Sequence, residues 1–200
     1  MHPPLSLHAS SRGEGSLDSP RLTRIISPPV LSVPVFSLAT VNGDGSTNMN
    51  VVTYASPVGI EPERLWMVSL YKTTVSHENF FREGWGVLQH LQRCHASLVP
   101  ILGKASSRDT VKSGRCARQG FPWERHAKEV VSAPRSVAIL PGCTAYLTLR
   151  LVSDQPAGDH DAAICRVVGM AGLERGQEIS MCPETETLET RHLREAGLIS

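Results

Sequence analysis

Two short runs bring together groups that could do chemistry. The first is Tyr71-Lys72-Thr73-Thr74. Composition predicts a strand ending at Tyr71 and a helix opening at Val75, so free backbone amides, two hydroxyls and one ammonium would converge there. That combination suits a phosphate monoester. The same residues also serve as a capped helix beside a surface lysine, and spacing leaves both readings open. The second run is Gly158-Asp159-His160. A histidine beside an aspartate can be an oriented proton donor or a hydrogen-bonding group for a ligand. Gly and Asp are equally what a bare turn needs.

Other signatures are missing from the sequence. There is no GxxxxGK[ST] phosphate loop and no GxSxG elbow. Gly43 and Gly45 lack the third glycine of a dinucleotide fingerprint. His77-Glu78 opens like a zincin motif, but Phe81 stands where the second ligand would be. The eight histidines show no metal-ligand spacing. Cys94, Cys116, Cys143, Cys165 and Cys182 contain no CxxC pair. An odd, unclustered set argues against a disulfide framework and against a zinc site, and it points to a reducing compartment.

The elements that must position these runs are mostly strands. Val33 to Val41 and Thr47 to Ala55 read as a hairpin around Asn42-Gly43-Asp44-Gly45, a strong turn signal. Ser56 to Arg64, with Pro57, Gly59 and Pro62, reads as a loop, and Leu65 to Tyr71 as a buried strand. Thr73, Thr74 and Ser76 can cap a short helix, Val75 to Arg82, that Gly84 ends. Trp85 to Leu91 is a further strand. Ala96 to Leu102 is ambiguous because of Pro100. Residues 104–133 are polar and irregular, with one short helix expected at Pro122 to Val131. Ser136 to Leu140, Thr144 to Val152 and Ala162 to Met170 are strand-like, and the middle run alternates, so one face is buried. Thr185 to Ala196 has helical composition and stops at Gly197. About seven strands with few helices predict a closed antiparallel barrel.

The chain has 200 residues, enough for one domain plus a tail. Lys+Arg is 20 and Asp+Glu is 19, a net charge of +1. That balance supplies no field to hold a polyanion, so no nucleic-acid partner is expected. No run approaches the ~20 apolar residues of a membrane span, and no membrane partner is expected. Residues 1–30 are rich in Ser and Pro, carry arginines and few acids, and cannot build a core. They read as a disordered tail or an organelle transit segment. The expected location is accordingly the cytoplasm, or an organelle such as the chloroplast.

Taken in order, the runs VFSLATVNGDGSTNMNVVTYASPVGI, ERLWMVSLYKTTVSHENFFREGWGVLQHL and AGDHDAAICRVVGM resemble the flavin-reductase-like family of FMN-binding split barrels. The resemblance covers roughly residues 32–170. It implies a mainly β fold, a six-stranded Greek-key split barrel with a few short helices, occupying residues 31–200 and working as a homodimer with FMN near the subunit interface. The flavin ring would lie along Asn50, Thr53, Tyr54, Ala55 and Ser56. The phosphate would sit at Lys72, Thr73 and Thr74, the anion site already described, with Asn79 bracing that turn. His160 would meet the nicotinamide of NADH or NADPH. No catalytic side chain and no metal is implied. The stretch GKASSRDTVK is similar to a family pattern GKxSGRDxDK. Ser107 replaces its glycine and Val111 its acid, which counts against a ligand role for Arg108 or Lys112. The implied activity is NAD(P)H-driven reduction of bound or free flavin. The alternative is an FMN-binding protein without turnover, an electron carrier or a flavin store. A split-barrel oxidase of the pyridoxamine-phosphate type would need an anchor for a second phosphate, and the sequence offers none.

Overall fold

A computed structural model describes residues 23–24, 31–104, 111–125, 131–173, 182 and 186–199. Its strands are β1 (Phe36–Val41), β2 (Thr47–Val52), β3 (Ala55–Gly59), β4 (Leu65–Tyr71), β5 (Trp85–His90), β6 (Glu124–Arg125), β7 (Ala138–Ile139), β8 (Ala145–Ala157) and β9 (His160–Gly172). The helices are α1 (Val75–Glu83), α2 (Lys112–Arg118) and α3 (Thr190–Glu195). A 3₁₀ turn (Arg93–Leu98) and a π turn (Pro100–Lys104) fill the stretch that Pro100 left ambiguous.

Seven strands form one antiparallel sheet in the order β2-β1-β5-β8-β9-β4-β3. Its two edge strands, β2 and β3, are consecutive in the chain and separated only by Thr53 and Tyr54. The sheet must therefore curl until its edges meet at that joint, and Ser69 donates its backbone N–H to Tyr54 O there. Counted as one bent strand, β2 and β3 give the six strands of the expected barrel. The expected loop from Ser56 to Arg64 is in its first part β3, paired with β4. Pro57 is tolerated because β3 has a neighbour on one side only. Of the expected helix from Pro122 to Val131, Glu124–Arg125 is instead a strand paired with β7, Val131 is helical, and residues 126–130 lie outside the described residues.

Local signals explain the turns. Asp44 accepts from the backbone N–H of Ser46 at 2.9 Å and from its hydroxyl at 2.6 Å, and Gly45 takes φ 82°. Those bonds hold the Asp44 carboxyl below its usual pKa. α1 is capped by Thr74, whose hydroxyl accepts from His77 N, and ends at left-handed Gly84. Gly158 (φ 66°) and Asp159 form the two-residue turn between β8 and β9, with glycine at its first position.

β1 and β5 bury both faces, so each side feeds a separate core. Phe36, Leu38, Leu88, Leu149 and Phe80 of α1 fill the barrel interior. Gly86 makes room for that plug, since a Cβ there would lie 3.1 Å from Phe80 and from Ala39 O. Ala39, Val41, Met49, Val87, Leu98 and Leu102 pack outward under the irregular segments. Each fully buried Leu or Phe contributes roughly 1.5–3 kcal/mol.

Cys94 and Cys182 form a disulfide across 88 residues, which corrects the reading of the cysteines against a disulfide framework. Spacing could not show this, because the partners meet only after the C-terminal segment packs back on the 3₁₀ turn. Cys116, Cys143 and Cys165 are free and buried. Among the described residues no helix is long and apolar enough to cross a membrane. The reading of residues 1–30 falls outside the described residues except for positions 23–24.

Candidate functional site

The bent joint between β2 and β3 forms one wall of a cavity of about 450 Å³, within the ~300–1,000 Å³ typical of small-molecule sites. β2 and the joint contribute Asn48, Asn50, Val51, Val52, Thr53 and Tyr54; β4 contributes Ser69, Leu70 and Tyr71. Thr73, Thr74, Val75 and Ser76, at the opening of α1, form the second wall. The π turn adds Leu102, Gly103 and Lys104, α2 adds Lys112, and the β8–β9 turn adds His160.

Of the residues expected at a flavin ring, Asn50, Thr53 and Tyr54 line this cavity, whereas Ala55 and Ser56 lie past it on β3. Asn50 Oδ1 is buried and has no hydrogen-bond partner among the described residues. An orphaned acceptor costs ~1–3 kcal/mol, so this wall is complementary to a ligand that brings an N–H. Thr73 and Thr74 also line the cavity. The Thr74 hydroxyl is already spent, donating to Tyr71 O at 2.8 Å and accepting from His77 N at 3.2 Å. The first helical amides, at Val75 and Ser76, have no carbonyl one turn earlier to bond and border the cavity. They are thus available to an acceptor placed in the cavity.

Lys72 is placed differently from the expectation. Its amine donates to Gly158 O at 2.8 Å and stands 3.4 Å from Asp161 Oδ1, turned toward the β8–β9 tip and not toward the cavity. Asp161 also meets His77 Nε2 at 2.8 Å. That hydrogen bond, followed by the one from Lys72, holds the Asp161 carboxyl below its usual pKa. Asn79 does not brace the α1 turn. Its amide donates to Asn42 Oδ1 at 2.7 Å and to Thr40 Oγ1 at 3.3 Å, tying α1 to the β1–β2 hairpin.

His160 stands at the mouth of the cavity. Its Nδ1 is 2.7 Å from Asp159 Oδ1, and its ring lies 5.5 Å from that of Tyr54 and 5.3 Å from that of Tyr71. Three rings thus frame the opening. The hydrogen bond from His160 lowers the Asp159 pKa.

Sequence reasoning missed Ser76, Lys104 and the position of Lys112. Ser76 Oγ accepts from Asn48 at 2.8 Å and locks α1 to β2. Lys112 stands in GKASSRDTVK, where its neighbours depart from the family pattern and so hide its place. Arg108 and Ser107 lie outside the described residues. Away from the cavity, Cys94, His95 and Cys182 bring their ligand atoms within 4.8 Å of one another. The sulfurs are joined, His95 Nδ1 accepts from Gln92 N at 3.0 Å, and Nε2 donates to Pro141 O at 2.9 Å. Every candidate ligand atom is thus engaged in structure.

The family described as flavin reductase like domain matches residues 31–182. No curated protein matches the chain. Among solved structures, flavoredoxin from Methanosarcina acetivorans is similar at 16% identity and TM-score 0.65, covering 86% of each chain. An FMN-binding protein from Thermus thermophilus, with 1-cyclohex-2-enone bound, shares 20% identity over 76% of this chain and 80% of that one, with TM-score 0.60. The styrene monooxygenase flavin reductase of Pseudomonas putida S12 shares 18% identity over 73% of this chain and 83% of its own, with TM-score 0.58. At these identities the likeness establishes the split-barrel fold.

Proposed function

The chain belongs to the flavin reductase-like family, and on that premise we propose that its cavity binds FMN and that NADH or NADPH reduces the bound flavin. When bound, FMN supplies a ring that accepts a hydride from the nicotinamide and passes the electron pair to free flavin, iron, oxygen or a partner. The chain's own groups bind, orient and tune. The observation that carries the reading is one cavity with a free acceptor at Asn50, unbonded helix amides at Val75 and Ser76, and a ring-framed mouth at His160. This set fits a planar heterocycle with an imide edge and a phosphate tail.

In this reading Asn50 and the backbone of Thr53 and Tyr54 meet the flavin ring. Thr73, Thr74 and the first turn of α1 receive the phosphate, helped by the positive end of the helix. Lys72 adds positive charge from the side of the β8–β9 turn. His160 positions the nicotinamide. A second copy of the chain covers the open side as a homodimer, the commonest closed arrangement.

The test is an absorption spectrum of the purified protein with FMN, followed by anaerobic addition of each pyridine nucleotide. Bound flavin that bleaches with NADH or NADPH supports the reading. Bound flavin that does not bleach means an FMN-binding protein without turnover. No flavin binding refutes the assignment.

A further inference from the structure

Lys112 is a buried cation in the wall of the cavity. Its Nζ donates to Met49 O at 3.0 Å and to Leu102 O at 2.8 Å, so β2 and the π turn hold it from two sides. An ammonium has three N–H groups, and one remains. Among the described residues no carboxylate reaches it, and the nearby ionisable group is the Cys116 thiol, itself buried with its pKa raised. Removing a cation from water without a counter-ion is costly. Burial lowers the Lys112 pKa to about 8, so the amine is still mainly charged at neutral pH. A structural tie between two carbonyls needs only neutral donors. Among the described residues the charge itself has no carboxylate partner.

Met49, which Lys112 touches, precedes Asn50, whose side-chain oxygen is the unpaired acceptor of the same wall. An acceptor and a charged donor in the wall of one cavity match the pyrimidine edge of a flavin, which offers one N–H between two carbonyl oxygens and a ring-nitrogen acceptor beside them. When the oxidised ring takes a hydride (two electrons and one proton) from the nicotinamide, the ring gains one negative charge and the nicotinamide leaves as its cation. The negative charge is carried on that same edge. We propose that Lys112 is the cavity's counter-charge to reduced flavin, so that the site binds the reduced cofactor more tightly than the oxidised one. This rests on the FMN reading above.

The test needs no turnover. Dissociation constants are measured anaerobically for oxidised FMN and for dithionite-reduced FMN, on the wild type, Lys112→Met and Lys112→Gln. Gln keeps a neutral donor for the two carbonyls and guards against a misfolded Met variant; circular dichroism checks both. The expected result is oxidised FMN held within about threefold by Lys112→Gln, and reduced FMN weakened at least tenfold. A tenfold differential equals a fall of about 30 mV in the two-electron potential of bound flavin. Equal losses for both forms would make Lys112 a structural tie and overturn the inference. So would no change in either form. If the wild type binds neither form, the FMN reading itself fails and takes the inference with it; binding by the wild type with an unaltered ratio in the variants defeats the inference alone.

Discussion

Replacing His160 by alanine separates binding from reduction. The ring is fixed from three sides, by Asp159 at 2.7 Å on Nδ1 and by Tyr54 and Tyr71 at centroid distances of 5.5 and 5.3 Å. With Nδ1 turned to Asp159, Nε2 is the nitrogen available to a donor molecule at the mouth. One hydrogen bond that Nε2 accepts from a nicotinamide carboxamide N–H is worth about 1–1.5 kcal/mol, so its loss slows flavin reduction by roughly tenfold. The tyrosines are 60% and 46% exposed, and an exposed ring contact is worth about 0.5 kcal/mol. FMN affinity should therefore change by less than about fivefold. Asp159→Asn leaves the ring in place but weakens its orientation, so a smaller loss is expected. The assay is anaerobic stopped-flow decay of flavin absorbance at saturating FMN and varied NADH or NADPH, with FMN affinity measured separately. A variant that loses FMN yet is reduced at the wild-type rate once FMN saturates would place His160 among the flavin contacts and refute its role toward the donor.

Other outcomes follow from the same coordinates. Lys72→Ala should weaken FMN more than riboflavin, while Asp161→Asn, which releases the Lys72 amine, should tighten FMN by about two- to fivefold because partly exposed pairs are worth up to ~1 kcal/mol; equal effects on FMN and riboflavin would remove Lys72 from the phosphate. Reducing the Cys94–Cys182 bond, or Cys182→Ser, should lower folding stability by roughly 2–4 kcal/mol, read from the denaturant midpoint, and an unmoved midpoint would show that the bond does not constrain the chain. His90 and His95 have their pKa values pushed below 6.5 by burial, so the unfolded chain binds more protons just below pH 6.5. Stability should be full above that value and decline as pH falls from about 6.5 toward the folded-state values; equal denaturant midpoints at about pH 7.5 and 5.5 would contradict the buried neutral imidazoles.

Much of this architecture was legible locally. Asn42 to Gly45 announced their turn, Thr74 its cap, and Gly158-Asp159 the tip that carries His160. What escaped depends on contacts far apart in sequence. β3 looked like a loop because Pro57 and Gly59 forbid a central strand, and only its position at the sheet edge permits it. Cys94 and Cys182 have no local signature. Lys72 carries the charge expected at a phosphate, but Gly158 and Asp161, nearly ninety residues later, turn its amine aside. Lys112 sat in a stretch that departs from its family pattern, and only the folded chain shows its amine enclosed by Met49 and Leu102.

The joint at Thr53 and Tyr54 links the two ends of a seven-strand ladder. Each edge strand has hydrogen-bond partners on one side only, so amide exchange with solvent should begin there, by local opening well below the cost of global unfolding. The cavity lies against that seam, and a molecule seated in it touches β2, β4 and the joint together. Occupancy should consequently slow deuterium uptake at β2 and at β3 in concert, although five other strands separate them within the ladder. With FMN bound as proposed, the cavity is also the clasp of the barrel, and ligand affinity and edge opening are linked.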